Sequence, residues 1–365
     1  MTQEAIVVGG GPAGLSAAIG LTKTGISVKL LEQRLLWKER VCGSFLSPEA
    51  SLHLDWLDIL QEIKEKSVET NLASISYLGR KLGSIPLEKG LAIPRKNLEA
   101  VLEQKALASG VDIRKGMSVT QLLKINNNLW KVYALNQEKN EEEILLTSIV
   151  VCANGRFSRF RKEVPSSNRH SWAGWNASFK GVSQNKGILH LCFFNQGYIG
   201  TLTFGDDSSN VSGLIHVNLM KQYGKNLEPL LKDLIKTDPV LEELLHGAIQ
   251  TAPFQMVAAL SFGKYLSKKS SLFLAGDAAG VCDPYMGEGI ARALSAGPLL
   301  YKALQNKNRV TMYRALWNKN YSVRIKLGGV LRRALLYPFI LLQFLKFFTR
   351  SGRLQKLVLH VIHRS

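Results

Sequence analysis

The sequence AIVVGGGPAG, at residues 5–14, carries the strongest structural signal in this chain. Residues 5–8 are apolar and mostly β-branched, as in a buried parallel strand. The glycines that follow fit the pattern G-x-G-x-x-G. We predict a helix over about residues 13–24, because a glycine at the next position is typical of a helix end. A strand, a glycine-rich turn and a helix in this order are typical of a doubly wound α/β fold.

Each glycine of this motif has a physical role in holding a dinucleotide. Gly9 permits the tight turn, Gly11 lets the backbone approach a pyrophosphate, and Gly14 lets the helix pack closely on the strand. The helix N-terminus faces the phosphate charge. A second predicted strand, 27–31, ends at Glu32, an acid that can bind ribose hydroxyls and that favours FAD or NAD over NADP. The alternative is a glycine-rich turn in an α/β protein that binds no nucleotide.

Size and composition indicate a globular protein. The chain has 365 residues, of which 46% are hydrophobic and 21% charged. This length allows two domains, and these proportions argue against disorder. The four cysteines form no C-x-x-C pair and are too sparse for a disulfide framework, which indicates a reducing compartment. The N-terminus lacks the basic region of a signal peptide, so we expect a cytoplasmic protein.

A second buried strand and small-residue turn lie far along the chain. Residues 271–280 read SLFLAGDAAG, residues 281–290 read VCDPYMGEGI, and a helix is predicted to follow. This order resembles the second FAD motif of aromatic-hydroxylase-type flavoproteins and geranylgeranyl reductases. The resemblance implies that Asp277 binds the flavin ribityl chain and that the glycine loop lies against the flavin pyrimidine, where a helix dipole favours negative charge. The alternative for Asp277 alone is a helix cap.

Two further segments support the resemblance. The sequence IPRKNL at 93–98 opens a predicted helix, and Arg95 matches an arginine that reaches the cofactor in the family. The alternative for Arg95 is a solvated cap residue. The sequence ANGRFSRFR at 153–161 resembles the family's Asp-Gly-x-x-Ser-x-x-Arg stretch, which in hydroxylases helps to bind FAD and NAD(P)H. Asn154 stands where hydroxylases usually have Asp, so the electron donor is either NAD(P)H or a separate flavin reductase.

The sequence RVCGSFLSP at 40–48 resembles the Cys-Gly segment of geranylgeranyl reductases and related monooxygenase-like proteins. In the reductases this cysteine lies near the flavin, so the resemblance makes Cys42 a candidate active-site residue. The alternative is the commonest role of a free cysteine, a small buried apolar group. The sequences GYIG at 197–200 and NVSGL at 210–214 look like stretches of the monooxygenase-like branch.

The first motif and the resemblance together predict the cofactor site. The predicted cofactor is FAD, and no metal site is predicted. The predicted cofactor-binding residues are Gly9, Gly11, Pro12, Ala13, Gly14, Glu32, Gln33, Arg40, Arg95, Asn154, Gly155, Gly276, Asp277, Pro284, Gly287, Gly289 and Ile290.

The expected fold class is α/β: a doubly wound FAD-binding Rossmann-type domain, an inserted α+β substrate domain and a helical C-terminal region. The expected FAD-binding domain is discontinuous and takes residues 1–45, 92–165 and 262–310. The expected substrate domain takes residues 46–91 and 166–261, and the basic C-terminal region takes residues 311–365. Within the substrate domain we predict strands at 177–181, 188–194, 198–204 and 211–217, and helices over about 227–245. A hairpin loop is predicted at 136–143.

Positive charge is concentrated near the C-terminus. The formal net charge is +19, and the residues after Glu288 include fifteen Lys or Arg and no Asp or Glu. The run ALLYPFILLQFLKFF at 334–348 is apolar but shorter than the roughly 20 residues needed to span a bilayer. With its flanking cations it predicts an interfacial anchor on an anionic membrane, so that the protein would be peripheral on the cytoplasmic face. The alternative is a lid that packs over the substrate domain.

Three aromatic residues, Tyr313, Trp317 and Tyr321, share one face of a helix predicted over 309–327. Such a stripe is more often core than a platform for stacked bases. The sequence contains no nucleic-acid motif, so we expect no nucleic-acid partner.

Three functions are open from the sequence. The first is a monooxygenase-like enzyme that hydroxylates or epoxidises an apolar small molecule or lipid. The second is a geranylgeranyl reductase-like enzyme that saturates double bonds of prenyl lipids. The third is a membrane-attached flavoprotein with a binding role. In the first two the flavin carries the chemistry, and the sequence names no acid–base residue.

Overall fold

The structure is a computed structural model that describes residues 4–37, 40–126, 129–161, 171–258, 260–266 and 272–362. The first half of the chain forms β1 (Glu4–Val8), α1 (Pro12–Thr22), β2 (Ser27–Glu32), β3 (Phe45–Leu46), α2 (Pro48–Trp56), α3 (Leu60–Glu65), β4 (Val68–Tyr77), β5 (Arg80–Ala92), α4 (Arg95–Ala108), β6 (Asp112–Lys115), β7 (Met117–Asn126), β8 (Leu129–Asn136), β9 (Glu141–Thr147) and β10 (Ile149–Cys152).

The second half forms a longer series of elements. They are β11 (Trp172–Lys180), β12 (Ile188–Phe194), β13 (Gly197–Thr203), β14 (Ser208–His216), α5 (Val217–Gln222), α6 (Leu227–Thr237), α7 (Pro239–Leu245), β15 (Ile249–Gln250), β16 (Gln255–Val257), β17 (Gly263–Lys264), β18 (Phe273–Leu274), β19 (Gly280–Val281), α8 (Gly289–Leu294), α9 (Ala296–Leu304), α10 (Arg309–Ala334), α11 (Pro338–Arg350) and α12 (Gly352–Ile362).

A five-stranded parallel sheet has the order β18-β10-β1-β2-β6. The central strand β1 pairs on both edges, with Val8 opposite Leu31 of β2 and opposite Cys152 of β10. Its apolar residues are buried because α1, α4 and α9 and the antiparallel sheet β7-β8-β9 contribute to one core with it. A parallel sheet buried in this way requires the continuous apolar strand seen in the sequence. The predicted α/β class is confirmed.

A larger, mostly antiparallel sheet has the order β15-β11-β14-β13-β12-β4-β5-β3, with β16 also paired to β11. The predicted strands of this region are present, but β11 begins at Trp172 instead of residue 177. Gly174 and Asn176 interrupt the apolar pattern there, which hid the first half of the strand. Helices α6 and α7 form a core with this sheet. In the smaller sheet, the hairpin loop predicted at 136–143 is present between β8 and β9, but it spans only residues 137–140.

The segment 46–91 contributes to both cores. Residues Ala50 and Leu54 of α2 and Ile63 of α3 lie in the core of the parallel sheet. Strands β4 and β5 pair in the larger sheet instead.

The C-terminal region is helical, as predicted. Tyr313, Trp317 and Tyr321 of α10 are each 1% exposed, so the prediction that they are core residues is confirmed. Leu341 and Leu345 of α11 are buried in a cluster with residues of the larger sheet. In the part of the chain that the structure describes, no helix combines the length and apolar character needed to cross a bilayer.

Candidate functional site

The glycine motif forms a tight cradle at the carboxyl end of β1. A Cβ atom added to Gly14 would lie 1.7 Å from the Gly9 carbonyl oxygen, so α1 rests directly on the turn. The Gly9 amide donates to the Leu31 carbonyl at 2.8 Å, which ties the turn to β2. At Gly11 an added Cβ would meet only the Arg95 Nη2 atom, at 3.9 Å. The turn is therefore closed on its strand side and open beside Arg95.

Glu32 is buried at the end of β2 and points back to the turn. Its Oε2 accepts a hydrogen bond from the Gly10 amide at 2.6 Å, and its Oε1 accepts from the Arg34 Nε at 2.8 Å. Burial alone would raise the pKa of Glu32, but the bonds from Arg34 and Gly10 lower it below its ordinary value. Glu32 is thus a carboxylate at neutral pH, able to accept further hydrogen bonds.

The second motif lies directly beside the first. A Cβ on Gly276 would lie 2.7 Å from the Ala13 Cβ, so the two motifs are in contact. Asp277 accepts from the Arg292 Nη2 at 2.9 Å and lies 3.7 Å from the Arg156 Nε. The segment 153–161 therefore reaches the second motif.

Arg95 and Cys42 meet next to the glycine turn. The Arg95 Nη1 lies 3.8 Å from the Cys42 Sγ, and its Nε donates to Glu99 at 3.0 Å. Burial alone would lower the pKa of Arg95, but the neighbouring Glu99 and Cys42 raise it, so its guanidinium stays charged. The Cys42 carbonyl accepts from the Asn210 Nδ2 at 3.0 Å. The candidate Cys42 is half-buried, and it lies between the Arg95 guanidinium and strand β14 of the larger sheet.

The remaining predicted residues take different positions. Asn154 lies beside Gly9, where a Cβ on that glycine would be 2.8 Å from the Asn154 Cα. The side chains of Gln33 and Arg40 are exposed. Ile290 is buried in the first turn of α8. The others lie within the two motifs or next to Asn154: they are Pro12, Gly155, Pro284, Gly287 and Gly289.

The arrangement fits a polar dinucleotide such as FAD. Buried polar atoms around the two motifs have no hydrogen-bond partner within the described structure, among them the Asn154 Oδ1 and the Arg292 Nε and Nη1. A protein rarely buries such groups unless another molecule satisfies them. Together with the glycine turn beside Arg95, these atoms provide donors and acceptors for phosphate and hydroxyl groups.

An apolar cavity of about 170 Å³ adjoins the second motif. One end is lined by Gly43, by Ser212 and Tyr198 of the larger sheet, and by Pro284 and Gly287 of the second motif. We call residues 283–288 of that motif the glycine loop. The other end lies under the C-terminal helices. The lining there includes Leu341, Phe344, Phe348 and Val358.

The sequence did not predict the residues of this cavity. Tyr198 stands in the quoted GYIG stretch, and burial raises the pKa of its phenol, which therefore keeps its proton. Leu191 and Phe193 line the cavity from β12. Strand alternation marks such residues as facing one side of a sheet, but it does not say what covers that side.

Comparisons with known proteins agree with this geometry. Residues 2–311 match the family described as FAD binding domain. A geranylgeranyl diphosphate reductase of Rhodobacter capsulatus is 27% identical over 81% of this chain and 73% of that protein. Squalene epoxidase 6 of Arabidopsis thaliana is 24% identical over 83% of this chain and 62% of that protein. The structure of the flavin-dependent brominase Bmp2 matches with a TM-score of 0.82 at 17% identity, and the match covers 100% of this chain and 94% of that chain.

The family match spans both glycine motifs and the segments that contact them, its description names FAD, and the two relatives are by name a reductase and an epoxidase. The predictions of an FAD cofactor and of an oxidoreductase are therefore confirmed. The chain belongs to the FAD binding domain family and is an FAD-dependent oxidoreductase.

Proposed function

We propose that this oxidoreductase acts on a lipid-like molecule with a long apolar chain, and that it hydroxylates or epoxidises that molecule. The observation that carries the proposal is the cavity between the glycine loop and the C-terminal helices. Of the residues that the structure describes, no charged side chain lines it. An apolar chain gains free energy in such a cavity, at roughly 0.8 kcal/mol per buried CH₂ group.

The same cavity supports oxygenation. Bound FAD supplies the redox chemistry in this family of enzymes. The protein must exclude water from the reacting groups, and leucine and phenylalanine side chains do so here. The names of the two relatives, a geranylgeranyl diphosphate reductase and a squalene epoxidase, also refer to prenyl-type substrates.

Saturation of a double bond is the second candidate. It requires a proton at one carbon in addition to a hydride at the other. The Tyr198 phenol, which keeps its proton, lines the loop end of the cavity, and Cys42 is adjacent in sequence to the lining residue Gly43. We propose NAD(P)H or a separate flavin reductase as the electron donor in either case.

Mass spectrometry separates the two reactions. The purified protein, loaded with FAD, is incubated with squalene or geranylgeraniol and with NADH, NADPH or a flavin reductase, in air and under nitrogen. A product that gains one oxygen atom, and only in air, supports oxygenation. A product that gains two hydrogen atoms under nitrogen supports saturation. If neither substrate changes although the flavin is reduced, the proposed use of prenyl-type chains is wrong.

Filling the cavity should stop turnover and leave FAD in place. We expect Leu191→Trp to lower kcat/KM for the apolar substrate by about 100-fold, because the larger side chain occupies the space of the chain, and Leu191 is not one of the predicted cofactor residues. FAD content, read from the flavin absorbance, should not change. Val323→Trp, at a 63% exposed position of α10, is the matched control. Equal activities of Leu191→Trp and the wild type would contradict the assignment of this cavity to substrate.

We propose that the outer face of α11 docks on an anionic membrane. Phe339 and Phe347 are 74% and 64% exposed, and Tyr337 and Ile340 lie beside them, also exposed. The exposed cations around this face are Arg333, Arg350, Arg353 and Lys356. An exposed apolar surface with a cationic rim is typical of an interfacial helix. The inner face of the same helix covers the cavity, so a docked α11 would place the cavity next to the lipid phase.

Replacing the two exposed phenylalanines of this face by serine should release the protein from vesicles. We expect Phe339→Ser with Phe347→Ser to weaken binding to phosphatidylserine–phosphatidylcholine vesicles by more than tenfold, since each buried Phe contributes about 1.5–3 kcal/mol. Sedimentation with vesicles measures the change. The matched control is Ile144→Ser with Leu146→Ser, at exposed positions of β9. If the wild type does not sediment with these vesicles, or if the control pair weakens binding equally, the assignment of the outer face of α11 to membrane docking is wrong. Substitutions test this face better than deletion of the C-terminal region, because a deletion would also remove Leu341 and Leu345, which are buried in a core.

A further inference from the structure

Helix α10 is hydrogen-bonded to the glycine loop, residues 283–288. We call this segment the flavin loop from here on, because the family resemblance implies that its glycine lies against the flavin. The Arg332 Nη1 donates to the Asp283 Oδ1 at 2.7 Å. The Tyr285 hydroxyl donates to the Gly328 carbonyl at 2.5 Å. At the other end of the loop, the Arg324 Nη1 donates to the Glu288 Oε1 at 3.3 Å. Three points of the helix thus hold three points of the loop.

The spacing of these contacts shows that one face of α10 makes them. Arg324, Gly328 and Arg332 are four residues apart, so they lie above one another on the helix. Gly328 has no room for a side chain, because an added Cβ would lie 2.7 Å from the Asp283 Oδ2. The close approach of helix and loop therefore depends on glycine at this position.

The ionisable groups at these contacts are buried. Asp283 and Glu288 are each 1% exposed, and Arg332 is 7% exposed. Buried charges are costly to a fold unless each has a partner in good geometry. Apolar side chains would pack a helix on a loop without this cost. The ion pair of Arg332 with Asp283 at one end of the loop and the hydrogen bond from Arg324 to Glu288 at the other instead fix the position of the loop along the helix.

Helix α10 also connects the loop to the C-terminal helices. Leu331 and Leu335 line the cavity, and the chain continues from there into α11, whose inner face lines the cavity too. A displacement of α11 therefore acts on α10 close to Arg332.

We propose that Arg324, Gly328 and Arg332 are positioning residues. They fix the position of the flavin loop against the cofactor, and they couple that position to the C-terminal helices. The proposal rests on FAD binding beside the loop and does not depend on the identity of the substrate. It predicts that a change on α10 alters the bound flavin through the loop.

Three variants test the proposal without any substrate. In Arg332→Gln the ion pair to Asp283 is lost, and we expect the Kd for FAD, titrated into the apoprotein by fluorescence, to rise about tenfold. Arg332→Lys keeps the charge and should restore most of the affinity. Lys326→Gln, at an exposed position of the same helix, should leave the Kd for FAD unchanged. If reduced FAD loses tenfold more affinity than oxidised FAD, the two-electron potential falls by about 30 mV.

Tyr285→Phe is the milder second variant, for the case that Arg332→Gln does not fold. It removes only the hydroxyl bond to Gly328, and we expect a rise in the Kd for FAD of about fivefold with a shift of the flavin absorbance maxima. The proposal is overturned if the variants that fold lower only the melting temperature of the apoprotein, while the Kd for FAD, the flavin spectrum and the potential stay as in the wild type. These readouts need no lipid, so a failure here is distinct from a failure of the proposed function.

Discussion

Replacing Gly14 by alanine should abolish FAD binding at micromolar cofactor. The new Cβ would lie 1.7 Å from the Gly9 carbonyl oxygen and 2.9 Å from the Gly9 carbonyl carbon, and both are backbone atoms. No change of a side-chain rotamer relieves this overlap, so the turn must move away from α1. The Gly9 amide is bonded to the Leu31 carbonyl, so a moving turn also strains the link to β2. We expect the Kd for FAD to rise by at least 100-fold, and the flavin absorbance of the purified protein to be lost.

A second glycine on the same helix provides the control. At Gly20 an added Cβ would lie 2.5 Å from the Gly297 carbonyl oxygen, where α1 packs on α9 and away from the motif. Gly20→Ala should therefore lower the melting temperature, as overpacking does, and leave the Kd for FAD within about threefold of the wild type. Gly352→Ala, where no atom of the described residues lies within 4 Å, should change neither. A Gly14→Ala protein that retains FAD would show that the turn has another route to accommodate a side chain.

The cofactor site could be predicted from the sequence because its chemistry is local. The strand, the turn and the helix around Gly9 and Gly14 lie within twenty residues, and each position has its own steric requirement. The second motif is equally compact, from the end of β18 to the start of α8. That Gly276 contacts Ala13 follows from the parallel sheet order and not from either motif alone.

The buried ion pairs could not be predicted, because their partners are far apart in the chain. Glu49 and Arg324 are 275 residues apart, and neither residue stands in a recognisable motif. In the sequence, Arg324 and Arg332 were two of fifteen cations in an acid-free segment, for which the simplest expectation was solvent or lipid. The structure instead places both of them at buried carboxylates that belong to other elements.

The run at 334–348 was ambiguous for a related reason. Phe339 and Phe347 face outward, while Leu341 and Leu345 face the core. Gln343, Lys346 and Arg350 mark one side of the helix as polar, but the rest of its circumference is apolar. The pattern therefore does not separate a face that packs on the protein from a face that meets lipid. The observed inner face makes α11 a cover of the cavity, and the membrane contact of its outer face stays a prediction.

Stability should fall as the pH rises from about 5.5 to 8.5, chiefly because of Glu288. Asp283, whose pKa burial raises to about 6, adds to the fall at the lower end of this window. The Arg324 guanidinium donates to both Glu49 and Glu288, at 2.5 and 3.3 Å, so two buried carboxyl groups share one hydrogen-bonding cation. Burial raises the pKa of Glu288 to about 8, although Arg324 opposes this rise. For Glu49, burial also acts to raise the pKa, but the nearby His53 and Arg324 lower it below its ordinary value. The pair of carboxyl groups therefore holds one proton at neutral pH.

The direction of the pH effect follows from the proton count. Between the ordinary carboxyl pKa and about 8, the folded protein keeps the Glu288 proton that the unfolded chain has released. The folded state then binds more protons, so the free energy of unfolding decreases as the pH rises through this window. Glu288→Gln cannot titrate, and we expect its unfolding free energy to be flatter with pH than that of the wild type. Equal pH slopes for the two proteins in urea unfolding would contradict the assignment of this proton to Glu288.

Removing the cation should have the largest effect on stability. Arg324→Met leaves two carboxyl groups buried without their cation, and a broken buried pair costs about 3–5 kcal/mol. We expect this loss at pH 8.5, where both groups would have to ionise, and a smaller loss at pH 5.5, where protonation keeps Glu288 neutral and can neutralise Glu49 once Arg324 is gone. Adding Glu49→Gln and Glu288→Gln to Arg324→Met should recover most of the unfolding free energy at the higher pH. A loss that is the same at both pH values, or that the glutamines do not relieve, would mean that Arg324 acts by packing and not by charge.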